Sequence, residues 1–182
     1  MMGREGTPGE PIANLDATPG RNEPVLTSGK EMGVGAYIRG FIRLDEPGTW
    51  TFRVHSNDGV QVAIGSEVVH VDPYKHSDTM SPPILFPVDE PGWYPIEVDY
   101  FQRKGTATLQ LLWTRPSGSA EEVVPSEAFA HLAEEPRVGY RGEVPISCGN
   151  EEFRMKLLYF AWVKAKTGIG EEEIAPPAGV TN

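Results

Sequence analysis

The sequence predicts a mainly β chain folded as an antiparallel sandwich or barrel. Three observations lead there. Segments such as "TWTFRVHS" and "WYPIEVDYF" alternate apolar and polar residues with period two, the mark of a half-buried strand. The 20 glycines and 17 prolines of the 182 residues fall between these runs and punctuate them as turns. A hydrophobic content of 39% gives enough apolar side chain to fill one packed core of this length.

Taken in order, residues 1–32 are rich in Pro, Gly, Asn and Asp without periodicity and are expected to form an irregular lead-in that wraps the surface or stays mobile. Residues 33–133 carry the strands. "AYIRGFIRL" is the first. In "TWTFRVHS" one face is Trp50, Phe52, Val54 and Ser56, and the other Thr51, Arg53 and His55. "VQVAI" and "EVVHV" follow as short strands around a tight Gly65-Ser66 turn. The prolines of "PPILFPV" confine it to an edge or a bulge. "WYPIEVDYF" and "TATLQLLWT" are expected to pair as a hairpin through "QRKG". "EEVVPSEAFAHL" closes the region with a short helical or return segment. Residues 134–154 then read as a linker.

A short internal echo runs through this region. "DEPGTWTFRV" and "DEPGWYPIEV" each enter through a Pro-Gly suited to a type II turn and continue as an alternating strand. Superposing them pairs Trp50 with Tyr94, Phe52 with Ile96 and Val54 with Val98 as core, and puts Trp93 with Thr49 on the opposite face. Two similar strands on facing sheets are expected. Trp50 and Trp113 are assigned to the core.

The formal net charge of −10, with no basic run, argues against nucleic acid as a partner. The longest apolar stretch, Leu157 to Val163, is too short to span a bilayer. The opening "MMGREGTPGEPIANLD" has no hydrophobic core of a secretory signal, so the chain is either cytoplasmic or begins upstream of this sequence. One cysteine, Cys148, excludes an internal disulfide and, without His or Asn partners nearby, is expected to be inert. Gly33 and Gly35 precede a strand rather than a helix, so "GVGAYIRG" is not a phosphate loop.

Two polar clusters are candidates for a site. Asn57, Asp58 and Gly59 stand between two alternating runs, either as a type I′ hairpin turn or as a carboxylate-and-amide cluster able to hold a cation. "HVDPYKHSDT" contains His70, Asp72, Tyr74, His76 and Asp78, either as a transition-metal site or as a solvated loop lining a ligand pocket. Trp93, off the core face, is suited either to stack on a sugar ring or to pack on the lead-in.

The order of these motifs resembles one family. A strand leads to Glu-Pro-Gly-x-Trp-x-Phe-x-Val, then Ser-Asn-Asp-Gly, a short strand ending in Gly, and a Val-Val strand. Pro-Gly-Trp-Tyr-x-Ile-x-Val-x-Tyr and Gly-x-Ala-x-Leu-x-Leu-x-Trp follow. Residues 33–130 thereby resemble the protective-antigen domain of bacterial toxins, glycosidases and yeast flocculation adhesins. The resemblance implies a β-sandwich without catalytic activity that binds glycans or a glycan-bearing surface, and an extracytoplasmic or cell-envelope location in a bacterium. It further implies a calcium ion held by two adjacent aspartates that a cis peptide joins, the ion in turn ligating sugar hydroxyls. The metal ligands would here be Asn57 and Asp58, with Asp72, Tyr74, His76 and Trp93 around the ligand. Asn57 replaces the first aspartate and removes one formal charge, so a weakened or lost calcium site is expected. The alternative is a structural or protein-interaction domain on the same fold.

From Met155 the sequence "MKLLYFAWVKAKTGIGEEEIAPP" is similar to the start of the sulfur-carrier small subunit of molybdopterin synthase. That resemblance implies an incomplete β-grasp hairpin over residues 155–182. The helix, later strands and terminal Gly-Gly of that family do not follow, so no sulfur-carrier activity is expected. Met155 sits where an independent protein would start. Read-through from one gene into its neighbour is one expectation, testable on the parent DNA; docking of this segment on the β domain as an extra strand or helix is the other.

Overall fold

The computed structural model describes residues 7–131 and the backbone of residues 155–160. The strands are β1 (Thr7–Ile12), β2 (Asp16–Ala17), β3 (Val34–Leu44), β4 (Gly48–Asn57), β5 (Val60–Ile64), β6 (Glu67–Asp72) and β7 (Thr79–Met80). They continue with β8 (Ile84–Val88), β9 (Gly92–Gln102), β10 (Thr108–Thr114), β11 (Glu122–Val123), β12 (Phe129–Ala130) and β13 (Met155–Phe160). Among the described residues a single 3-10 turn, Ser126–Ala128, precedes β12.

These strands form two antiparallel sheets that do not close into a barrel. The first runs β1-β13-β3-β9-β5-β6, with β12 also on β3; the second runs β11-β10-β4-β7, with β2 on β10 and β8 on β4. The alternation in the sequence sets the layers. Trp50, Phe52, Val54 and Ser56 all point inward from β4, and Ile96, Val98 and Tyr100 from β9. The echo therefore does place two similar strands on facing sheets. Its turns differ: Gly48 has φ +124°, whereas Gly92 is not in the left-handed region.

Aromatic rings dominate the second sheet's inner face. The Trp50 and Trp113 centroids are 4.8 Å apart, and Phe52 meets Phe86 edge-on at 6.2 Å. Trp50 Nε1 donates to Glu46 O and Trp113 Nε1 to Glu122 Oε1, so burial leaves neither indole N–H unpaired. Prolines confine β8 to the edge of β4, as Pro82, Pro83 and Pro87 require.

Three expectations are corrected. The Asn57-Asp58-Gly59 segment is not a hairpin turn, because β4 lies in the second sheet and β5 in the first. "QRKG" is not a hairpin either: β9 pairs β3 and β5, and β10 pairs β4. Both are corners that carry the chain from one sheet to the other. Local turn chemistry is the same for a hairpin and a corner; the pairing partners of the following strand decide between them. The lead-in, thirdly, is not irregular throughout. It contributes β1 and β2 and drives Leu15 and Val25 into the core, at 1% and 2% exposure.

The segment β13 joins the first sheet between β1 and β3, pairing Lys156–Phe160 with Arg39–Gly35. It is thus an added strand of the β domain; the rest of the expected hairpin, residues 161–182, lies outside the described residues. The linker over residues 134–154, Cys148 and the segment "EEEIAPP" lie outside the described residues.

Candidate functional site

Two sheet-to-sheet corners lie side by side at one end of the sandwich. The backbones cross-link them: Asp58 N–H donates to Phe101 O at 3.2 Å and Phe101 N–H to Gly59 O at 3.1 Å. At the end of β4, Asn57 is opposite Thr108 at the start of β10. Its side-chain amide donates to Thr106 Oγ1 at 3.3 Å, and its carbonyl accepts the Tyr100 hydroxyl. The Asn57–Asp58 peptide is cis.

Asp58 is 6% exposed, and its carboxylate ties three segments together. Oδ1 accepts the backbone N–H of His76 at 3.1 Å, and Oδ2 accepts that of Arg103 at 2.7 Å. One side chain on the β4–β5 corner thereby holds both the β6–β7 loop and the β9–β10 corner. Such charge-assisted bonds to a buried carboxylate are among the stronger hydrogen bonds in proteins.

The β6–β7 loop has its own order. Asp72 Oδ1 accepts Tyr74 N–H at 3.2 Å. The His76 ring lies between two acceptors: Nδ1 is 2.7 Å from Ser77 O, and Nε2 is 3.2 Å from Asp72 Oδ2. The latter is an ion-pair distance, but off the line of a hydrogen bond. Asp78 accepts the Thr108 hydroxyl at 2.6 Å and so pins the loop's far side to β10. Burial pushes His70 below the ordinary imidazole range, with Asp72 partly opposing it.

Gly59 is where the segments come closest. A Cβ there would lie 2.4 Å from Phe101 Cε1, 2.6 Å from Asp72 O and 2.9 Å from Tyr74 O. Beside it opens a cavity of about 330 Å³. Its floor is the outer face of the first sheet at Gly35, Gln61, Asp99 and Phe101, and Val71, Asp72 and Pro73 border it.

Of the residues the sequence singled out, Asn57, Asp58, Asp72, Tyr74 and His76 come together here. Trp93 does not. It sits on the outer face as expected, but at the opposite end of β9, about 26 Å along the strand from Phe101 at about 3.3 Å per residue. Face follows from alternation; position along a strand of 11 residues does not. Tyr100, Phe101, Arg103 and Thr106 were missed. Extending the alternation of the echo two residues beyond Val98 would have put Tyr100 in the core, beneath the corner.

The calcium that the motif implies has a poor donor set. Such an ion takes about six to eight oxygens, carboxylates foremost. The dipeptide offers one carboxylate, Asp58, and both its oxygens already accept backbone N–H groups. The neighbouring carboxylates of Asp72 and Asp78 are engaged with the loop's own backbone and with Thr108. Among the described residues no three His, Cys, Asp or Glu side chains converge as metal ligands. These carboxylates are thus already committed to hydrogen bonds within the protein, which makes them a poor set for calcium.

Tyr100 is a second buried titratable group at this end, beside Asp58. Burial, and after it the negative charge of Asp58, push its phenol well above the ordinary tyrosine range. A raised folded value means that its contribution is complete below about pH 10, where the free phenol titrates, and is lost as the pH rises beyond that. Tyr100→Phe is expected to cost about 1–2 kcal/mol near neutrality by removing the hydroxyl's bond to Asn57 O. It should also flatten the alkaline fall in stability. Urea denaturation at about pH 8 and about pH 11 measures both; parallel losses in the two proteins would refute the assignment.

Comparison with known proteins follows the same lines. No curated protein matches the chain significantly. Among solved structures, an anti-sigma factor domain-containing protein superposes with TM-score 0.59 at 19% identity, covering 71% of this chain and 49% of that one. One from Clostridium clariflavum gives 0.55 at 19% identity, covering 73% and 43%. A PA14 sugar-binding domain from an RTX adhesin gives 0.50 at 18% identity, covering 68% and 76%. The chain thus spans about half the length of the first of these and less of the second. At such identities the likeness concerns the fold. The sequence itself goes further: residues 27–127 match the PA14 domain, the protective-antigen module that its motif order resembles, and the chain belongs to that family.

Proposed function

We propose that the chain is a non-catalytic glycan-binding module whose ligand occupies the cavity beside the two corners. The observation that carries this is the lining of that cavity. Phe101 shares it with Asp72, Asp99 and Gln61. A pyranose presents a C–H face that packs on an aromatic ring and an edge of hydroxyls that donate to carboxylates, so one sugar unit uses both kinds of group. A volume of about 330 Å³ suits one or two such units. The adhesin neighbour is itself a sugar-binding domain, which supports the same reading. A glycan-bearing surface outside the cytoplasm is the corresponding partner. Asn57 and Asp58 shape the rim, Tyr74 and His76 border it, and Trp93 takes no part.

A glycan array probed with the full chain tests the reading, followed by calorimetry on a hit. Phe101→Ala is expected to weaken binding about tenfold, equivalent to about 1.4 kcal/mol. An array without hits, or equal affinity for the variant, sinks the proposal. A protein-interaction role is the second reading, favoured by the exposure of Val68, Val71 and Tyr74 along and beyond the edge strand β6, at 52%, 55% and 74%. Its partner would compete for that edge and leave the array blank.

A further inference from the structure

We propose that Asp58 holds this rim together by hydrogen bonds alone, so that the glycan site of the preceding reading, on which this rests, works without calcium. In a calcium-built rim the ion is the common point to which the loops attach. Here the common point is the Asp58 carboxylate. It is 6% exposed and bonded on one oxygen to His76 N–H and on the other to Arg103 N–H. The two donors belong to different loops, so the bonds perform the joining that a bridging cation would perform.

The surrounding chemistry agrees. Position 57 is an amide, and its Nδ2 is turned to Thr106 Oγ1 as a donor. The corner facing Asp58 carries two exposed cationic residues, Arg103 and Lys104, whose charge disfavours a further cation nearby. Further ties that involve no ion fix the same segments. Phe101 and the Asp58–Gly59 backbone exchange two bonds, Asp78 holds Thr108, and the Tyr100 hydroxyl holds Asn57 O. Asp58 is thus a positioning residue, acting on the ligand through the loops it ties.

The full chain is compared in millimolar calcium chloride and in EGTA, by thermal melting and by amide hydrogen exchange at His76 and Arg103. The melting midpoint and both exchange rates are expected to be the same in the two conditions. Asp58→Asn keeps one acceptor oxygen and turns an N–H₂ towards the second donor. At least one of the two amides should then exchange about tenfold faster or more, while Val54 in the core is unchanged. A calcium-dependent rise in the midpoint overturns the proposal, and so does slow exchange at both amides in the variant. The wild-type calcium comparison decides the matter even if the variant fails to fold. Glycan binding measured in both buffers separates the two readings. Binding retained in EGTA supports the calcium-free site. Binding only with calcium overturns it and leaves the glycan reading standing. No binding in either buffer sinks the glycan reading and with it the functional half of this proposal, while the exchange data still accept or refute the clamp.

Discussion

Trp50→Ala is expected to lower the unfolding free energy by about 4 kcal/mol, the largest loss from any single substitution considered in this domain. Trp50 is 0% exposed. Its ring packs at 4.8 Å from that of Trp113 and lies parallel to Phe52 at 6.5 Å. The guanidinium of Arg115 covers it at 5.3 Å, held there by Asp45 and Glu46. Removing the indole opens a cavity against rings too rigid to collapse into it. It also leaves Glu46 O without its indole donor. Urea denaturation should show a lower midpoint with an unchanged slope, and the thermal midpoint should drop by about 12 °C. A loss under about 1 kcal/mol would mean that the inner face of the second sheet is not packed as described.

Gly59→Ala should damage the corner end of the sandwich with comparable severity. The added methyl would meet the Asp72 and Tyr74 carbonyls at 2.6 and 2.9 Å, and these are backbone atoms that cannot rotate away. Either the β4–β5 corner or the β6–β7 loop must move, and both are tied to Asp58. A cost of about 3 kcal/mol is expected, with glycan affinity reduced at least about tenfold. Since Gly59 is not in the left-handed region, crowding is the whole of the effect. Gly29, at φ +67° with nothing within 4 Å, provides a control in which backbone conformation rather than contact is at stake. There alanine should cost about 1 kcal/mol and leave binding alone. Equal affinity for Gly59→Ala and the native chain would show that the loops do not border the ligand.

The sequence revealed the layers of this molecule better than its ends. Period-two alternation assigned the inward faces of β4 and β9 residue by residue, and the Glu-Pro-Gly echo placed them on opposite sheets. What alternation cannot encode is which strand a given strand pairs with. Asn57-Asp58-Gly59 has the composition of a tight turn whether the next strand doubles back or crosses the sandwich; here β5 pairs with β9 and β4 with β10. For the same reason "QRKG" read as a hairpin.

The candidate site was legible in part. Asn57, Asp58, Asp72, Tyr74 and His76 were found because polar clusters between apolar runs are conspicuous. The role of Asp58 was hidden, since its two partners are backbone amides at positions 76 and 103, which have no side-chain signature. Trp93 lies apart from this cluster for a simpler reason. Its face was readable, but nothing local tells at which end of a long strand the polar clusters gather. Docking of the C-terminal segment as an extra strand or helix was one of two expectations, but its neighbours β1 and β3 are remote in sequence and could not be named from it.

The most direct test of the account is a residue-resolved titration of the full chain with a glycan selected on the array, followed by NMR in EGTA. Saturable shifts are expected at Gln61, Val71, Asp72, Asp99 and Phe101 and at the tied amides of His76 and Arg103, with Trp93 and Arg43 at the other end of the sheet unmoved. Shifts centred on Trp93 and Arg43, or none until calcium is added, would contradict it.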